Sequence, residues 1–158
     1  MLYVKKARSW LLCAAWMGVI YFMSAMSGDV SGEQSGRVMR LLLAVIRLLF
    51  GQEAAAAVSE ELLSLLVRKA AHMAEYAVLF LLYRHALSLS GAKRSGLAAL
   101  LLSACYAATD EWHQSFVADR GPSIVDVGID TLGAAMAWGV QEWIKKIMRI
   151  RKIRKKER

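Results

Sequence analysis

RKAAHMAEY, residues 68–76, runs without a break into AVLFLL, and that junction restricts what the chain can become. Read as a helix, Arg68, His72 and Glu75 fall at about 0°, 40° and 340° around the axis, with Tyr76 on the flank at about 80°. They form one polar stripe on a segment whose continuation belongs in hydrocarbon. A charged side chain at the centre of a bilayer costs about 2.5–3.5 kcal/mol on insertion scales. These groups must therefore face protein or water, and their partners must come from elsewhere in the chain. The suppliers are TDEWHQ (109–114), Arg120, Asp126 and Asp130.

Apolar blocks separated by charges recur along the 158 residues, of which 57% are hydrophobic, with a mean hydropathy of +0.36. That pattern predicts a single all-α membrane domain, not a large soluble core. The net charge is +8, a value that raises nucleic acid as a partner. The distribution argues against it, because nine of the 21 basic residues lie between Lys145 and Arg158, directly behind an apolar segment. That is the place of a cytoplasmic flank on a last transmembrane helix, or of a tail touching anionic lipid. Cys13 and Cys105 each sit inside an apolar segment without metal-ligand spacing, and both are expected as small buried hydrophobes.

Four spans follow from the order of the blocks, at about 10–26, 70–89, 97–109 and 123–143. Lys5, Lys6 and Arg8 before the first, Lys93 and Arg94 in the turn before the third, and the basic tail 145–158 all belong inside, so both termini are expected in the cytoplasm. SGDVSGEQSG (27–36) is small and polar and reads as a loop, with Ser31 and Gln34 as a capping box for a helix over 37–50. Arg37, Arg40 and Arg47 fall within about 80° of one another on that helix, which makes it amphipathic and interfacial. Residues 51–61 read as a linker, and Ser59, Glu60 and Glu61 as the start of a helix reaching Leu89, too long for a bilayer core and expected to project or break near Arg68. Trp112 and Trp143 take interfacial positions. Gly128 and Gly133 are read as points of close helix contact.

This frame puts Arg68, Lys69, His72, Glu75, Asp110, Glu111, His113, Asp126 and Asp130 at one depth, toward the outer face. Intramembrane ionisable residues are a functional-site hypothesis by default. Three readings stay open. The charges pair with one another and fix helix register. Or Arg68, Lys69 and Arg120 grip the phosphate or carboxylate of a headgroup, with an apolar groove for its tail. Or the cluster is catalytic, with His72 or His113 as general base and Glu75 or Asp110 beside it. A divalent metal on His72, Glu75, Asp110, His113 or Asp126 belongs to the third reading, although HxxE is a weak signal and HExxH is absent. No GxSxG elbow surrounds a serine.

RKAAHMAEYAVLFLL followed by TDEWHQSFVADRGPSIVDVGIDTLGA resembles the VanZ-like family of bacterial membrane proteins. The matching positions are Arg68, His72, Glu75, Tyr76, Asp110, Glu111, His113, Gln114, Phe116, Arg120, Asp126 and Gly133, and Ser24, Ser27 and Ser31 also look like the family's. Asp130 departs from it, standing where the family often has asparagine. The resemblance implies a multi-pass membrane protein associated with low-level resistance to teicoplanin, a glycopeptide with a lipid tail, and it implies no particular reaction. A membrane lipid or a lipid-linked wall precursor is the partner it points to. On this reading Tyr76, Glu111, Gln114, Asp126 and Asp130 join Arg68, Lys69 and Arg120 in holding the ligand.

Overall fold

With one proline and long runs of leucine and alanine, the chain has few residues able to interrupt a helix. A computed structural model describes residues 2–26, 28–118 and 120–156, without the side chains of 28–31 and 156. Ser27 and Asp119 lie outside the described residues, as does the side chain of Ser31. The helices are α1 (Leu2–Ser24), α2 (Gly28–Phe50), α3 (Gln52–Ala56), α4 (Glu60–Leu89), α5 (Ser95–Gln114) and α6 (Ile124–Lys156), and the described residues contain no strand.

α4 is unbroken through Arg68 and forms the centre of the bundle, touching α1, α2, α5 and α6. Ser59 caps it, its side chain accepting from Leu62 N at 3.3 Å, with Glu60 and Glu61 in the first turn. Gly91, at φ 88°, stops it: Ala92 N donates to Leu87 O across a left-handed residue. α1 runs antiparallel to α4, since Trp10 Nε1 donates to Ser90 Oγ near one end and Trp16 Nε1 to Glu75 O further along. α6 runs parallel to α4, because Lys69 pairs with Asp126 and Arg84 with Glu142. α5 runs with α1, tied by Tyr106 OH to Met17 O at 2.7 Å and Ser24 Oγ to Asp110. One end of the bundle thus collects Ser24, Arg68, Asp110 and Asp126. The other collects the start of α1, the α4–α5 turn and the basic half of α6.

Several expectations change here. Residues 28–36 are the first turns of α2, so Ser31 and Gln34 lie inside a helix and do not cap one at residue 37. Burial of Ser35 and Met39, together with the Glu33–Arg37 pair at 3.1 Å, outweighs the weak helix propensity of that stretch. The linker 51–61 holds the short α3. α6 continues through the basic tail, where good helix formers and cations near a C-terminus favour helix. Cys13 is buried, whereas Cys105 faces outward on α5.

The core is small and aromatic: Tyr76, Leu79, Phe80 and Tyr83 of α4 pack on Cys13 and Ile20 of α1, Ala99 and Ala107 of α5, and Ala134 of α6. Gly133 meets the backbone of α4, since a Cβ there would lie 2.2 Å from Met73 O. Gly128 makes no such approach; a Cβ there meets nothing within 4 Å. Large apolar side chains lie on the surface and several polar ones lie inside. Leu11, Phe22, Leu101, Leu132, Met136 and Val140 are exposed, while Ser24, Ser103, Asp110, Glu111, Gln114 and Asp130 are buried. Among the described residues, no helix is long and apolar enough to cross a membrane. Helices cover all four stretches expected as spans, but α4, α5 and α6 each carry carboxylates within their length, and α1 begins with Lys5, Lys6 and Arg8.

Candidate functional site

Three elements build the polar end of the bundle. α4 contributes Arg68, Lys69, His72 and Glu75 within two turns. α5 ends there with Asp110, Glu111 and Gln114 on its buried face. Among the described residues beyond α5, Arg120 lies over the end of that helix, its backbone N–H donating to Val117 O at 3.3 Å. Its guanidinium Nη1 donates to Gln114 Oε1 at 3.0 Å. Gln114 Nε2 donates in turn to Asp110 Oδ2 at 3.0 Å, and Ser24 Oγ donates to the same oxygen at 2.8 Å. This chain joins α1 and α5, and it fixes where Arg120 points. Glu111 Oε2 accepts from Ser123 N at 2.9 Å, and Ser123 Oγ accepts from Asp126 N at 3.2 Å. Together they satisfy backbone donors at the start of α6, where a negative charge also suits the helix dipole.

Two adjoining cavities open above this framework. One, about 210 Å³, lies between α4, α2 and α1 and is lined by Arg68, Ala71, His72 and Glu75 with Met23, Gln34, Ser35, Val38 and Arg120. The other, about 190 Å³, lies toward α6 and is lined by Arg68, Lys69, His72, Gln114, Arg120 and Asp126. Arg68, His72 and Arg120 belong to both and form the wall between them. The α2 side of the first cavity was not foreseen, because its first turns read as loop. The one signal for it is the continuation of the 37–50 helical period back from Val38 to Gln34 and Ser35.

The charges do not simply pair off. Lys69 and Asp126 are in contact, and His72 Nδ1 lies 3.8 Å from Glu75 Oε2. No carboxylate of a described residue comes within 4.0 Å of the Arg68 or Arg120 guanidinium. Burial, and Arg68 beside it, hold the Arg120 guanidinium below its ordinary value, although arginine stays charged. The result is a pair of like charges facing a shared space. Arg68 Nε, His72 Nδ1 and Glu75 Oε2 are buried there without a hydrogen-bond partner among the described residues.

Other expected site residues sit beneath or beside the cavities. Tyr76 and Asp130 are 0% and 1% exposed, line neither cavity, and leave the Tyr76 hydroxyl and both Asp130 oxygens without a hydrogen-bond partner among the described residues. Asp110 and Glu111 are framework, as described. His113 stacks on Tyr21 with centroids 4.4 Å apart, outside both cavities, so it does not face His72 across a shared space. Among the described residues, no group of three or more His, Cys, Asp or Glu side chains is placed to hold a metal ion.

No curated protein and no solved structure matches the chain. A family model described as VanZ/LLP1 matches residues 9–145, which takes in both cavities and every element that builds them. The chain therefore belongs to the VanZ/LLP1 family.

Proposed function

We propose that the protein is embedded in the bacterial cytoplasmic membrane and uses its polar end, at the outer face, to bind the anionic headgroup of a lipid or lipid-linked envelope component. On this reading it lowers susceptibility to teicoplanin-type lipoglycopeptides. The observation that carries the proposal is the wall of Arg68, His72 and Arg120 between two cavities, with neither guanidinium within 4.0 Å of a carboxylate among the described residues. Arginines so held suit bidentate contact with phosphate or carboxylate. The membrane setting draws support from the bundle as a unit. Large apolar side chains such as Leu11, Phe22, Leu101, Leu132, Met136 and Val140 are exposed on α1, α5 and α6, while Asp110, Glu111 and Asp130 are buried. The basic residues Lys5, Lys6, Lys93, Arg94 and the tail share the end opposite the cavities, which by charge bias is the cytoplasmic one.

The test is expression of the full chain in a teicoplanin-susceptible bacterium. The expected result is a severalfold rise in the inhibitory concentration of teicoplanin, larger than for a glycopeptide without a lipid tail. Arg68→Ala and His72→Ala should abolish the rise while the protein still accumulates in the membrane fraction. Full resistance in both variants would remove these residues from the function.

A second reading has one observation in its favour. His72 and Glu75 face each other at 3.8 Å and line the first cavity, as a general base and its orienting carboxylate would. Asp110 and His113 would then act only through that pair. Incubating the purified protein with labelled envelope lipids and divalent metal should yield a modified headgroup if this is right, and an unchanged lipid pool would reject it.

A further inference from the structure

The two cavities at the polar end share Arg68, His72 and Arg120, yet the rest of their linings differ in kind. Met23 of α1, Val38 of α2, and Val67 and Ala71 of α4 give the first an apolar side. Met23 and Val38 are 38% and 48% exposed, so that side reaches the surface of the bundle where α1 and α2 flank α4. Lys69, Asp126 and Gln114 line the second cavity. Lys69 and Asp126 are in contact and offset each other's charge, and Gln114 adds an amide. That side therefore offers donors and acceptors with little net charge. The guanidinia stand between the two. A Cβ on Gly32 would lie 3.7 Å from Arg68 Nη2, so Arg68 reaches α2, whereas Arg120 donates to Gln114 on α5.

We infer that the ligand is an amphiphilic phosphodiester. Its phosphate sits on Arg68 and Arg120, its apolar ester arm lies in the first cavity, and its second arm, polar and hydroxylated, lies in the second. The inference rests on the headgroup reading above and adds what is attached to the anion. Both guanidinia line both cavities, so an anion held by the pair touches both and has room for a substituent on either side. A phosphodiester keeps two free oxygens for two guanidinia and carries two substituents, whereas a carboxylate or a phosphomonoester carries one. Contact with Met23, Val38 and Val67 favours the apolar arm by each methylene removed from water. Hydroxyls facing Lys69, Asp126 and Gln114 exchange water for protein partners, which contributes less. In the membrane setting proposed above, the apolar arm leaves past Met23 and Val38 into the outer leaflet, which makes the source a lipid and not a phosphodiester from solution.

The test uses the full chain in maltoside micelles, which contain no phosphate, and four diesters of equal charge: dimethyl, hexyl methyl, glyceryl methyl and hexyl glyceryl phosphate. Binding is followed by phosphorus NMR titration and corrected for partition into empty micelles. The hexyl arm should raise affinity at least about tenfold over dimethyl phosphate. The glyceryl arm should raise it by about threefold or more, and the two gains should multiply in the fourth compound. Val38→Trp should remove the hexyl gain and keep the glyceryl gain. Lys69→Met/Asp126→Leu should do the reverse, and Arg120→Gln should weaken all four. Dimethyl phosphate that binds as well as the other three on the unaltered protein overturns the inference while the headgroup reading stands, and no variant has to fold for that result. A hexyl gain alone, or a glyceryl gain alone, overturns the two-armed ligand; the second would assign the site to a phosphodiester from solution. A hexyl gain that survives Val38→Trp overturns its placement between α1 and α2. Failure of all four compounds to bind rejects the headgroup reading itself, and this inference with it.

Discussion

Asp110 and Asp130 are both buried carboxylates at the same end of the bundle, and they are held differently. Asp110 accepts from Ser24 and Gln114, so it organises its neighbours. Asp130 has no donor on either oxygen among the described residues. Removing Asp110 strands two buried donors, at a cost of about 1–3 kcal/mol, and Asp110→Ala should unfold measurably earlier in a thermal melt of the purified protein. Asp130→Asn exchanges an unpartnered carboxyl for an amide of the same shape, and its melting temperature should be equal or higher. A large loss in Asp130→Asn would mean that the carboxyl has a partner. The sequence made both residues candidates through charge and position alone. It gave no means to tell framework from orphan, since that depends on which helix supplies a donor.

Among the elements, the α4–α6 crossing is the one that a single atom can test. Gly→Ala inside a helix ordinarily gains about 0.8–1.0 kcal/mol from propensity. At Gly133 a Cβ would lie 2.2 Å from Met73 O and 2.7 Å from Met73 Cα, and a helix backbone yields little. Overpacking of that kind costs about 1–3 kcal/mol, so it should win, and Gly133→Ala should lower stability by about 1–2 kcal/mol. At Gly128 nothing lies within 4 Å, and Gly128→Ala should be neutral or stabilising by up to about 1 kcal/mol. Equal effects at the two positions, read from paired thermal melts, would refute the crossing. Both glycines read alike in sequence, and only the approach of α4 separates them. α2 teaches the same lesson: Ser35 and Met39 gain burial, and that draws the helix back to Gly28 through residues that look like loop.

At the scale of the molecule, a polarity of ends becomes the testable feature. The cavities and the described residues 115–118 and 120–123 occupy one end, and the α4–α5 turn with the basic half of α6 occupies the other. In a background lacking Cys13 and Cys105, Ala118→Cys should react with a membrane-impermeant maleimide on intact cells, and Lys93→Cys only after lysis. The opposite pattern would invert the orientation and remove the outer-face reading of the site. Ionisable groups interrupt each helix, so no helix among the described residues is long and apolar enough to cross a membrane. Asp110, Glu111 and Asp130 are buried, whereas Leu101, Leu132 and Met136 are exposed.

Periodicity and composition by themselves determined the helical class, the starts and stops of α4, the stripe of Arg68, His72 and Glu75, and the depth at which Asp110, Arg120 and Asp126 would meet it. These are properties of one helix at a time, carried by local spacing and capping. Only the tertiary structure decided that Lys69 takes Asp126, that Arg68 and Arg120 take no carboxylate among the described residues, that His113 stacks on Tyr21 away from His72, and that Cys105 faces outward. Each of those depends on the rotation and separation of two helices, and a shift of one residue in either would have sent the same side chains to other partners.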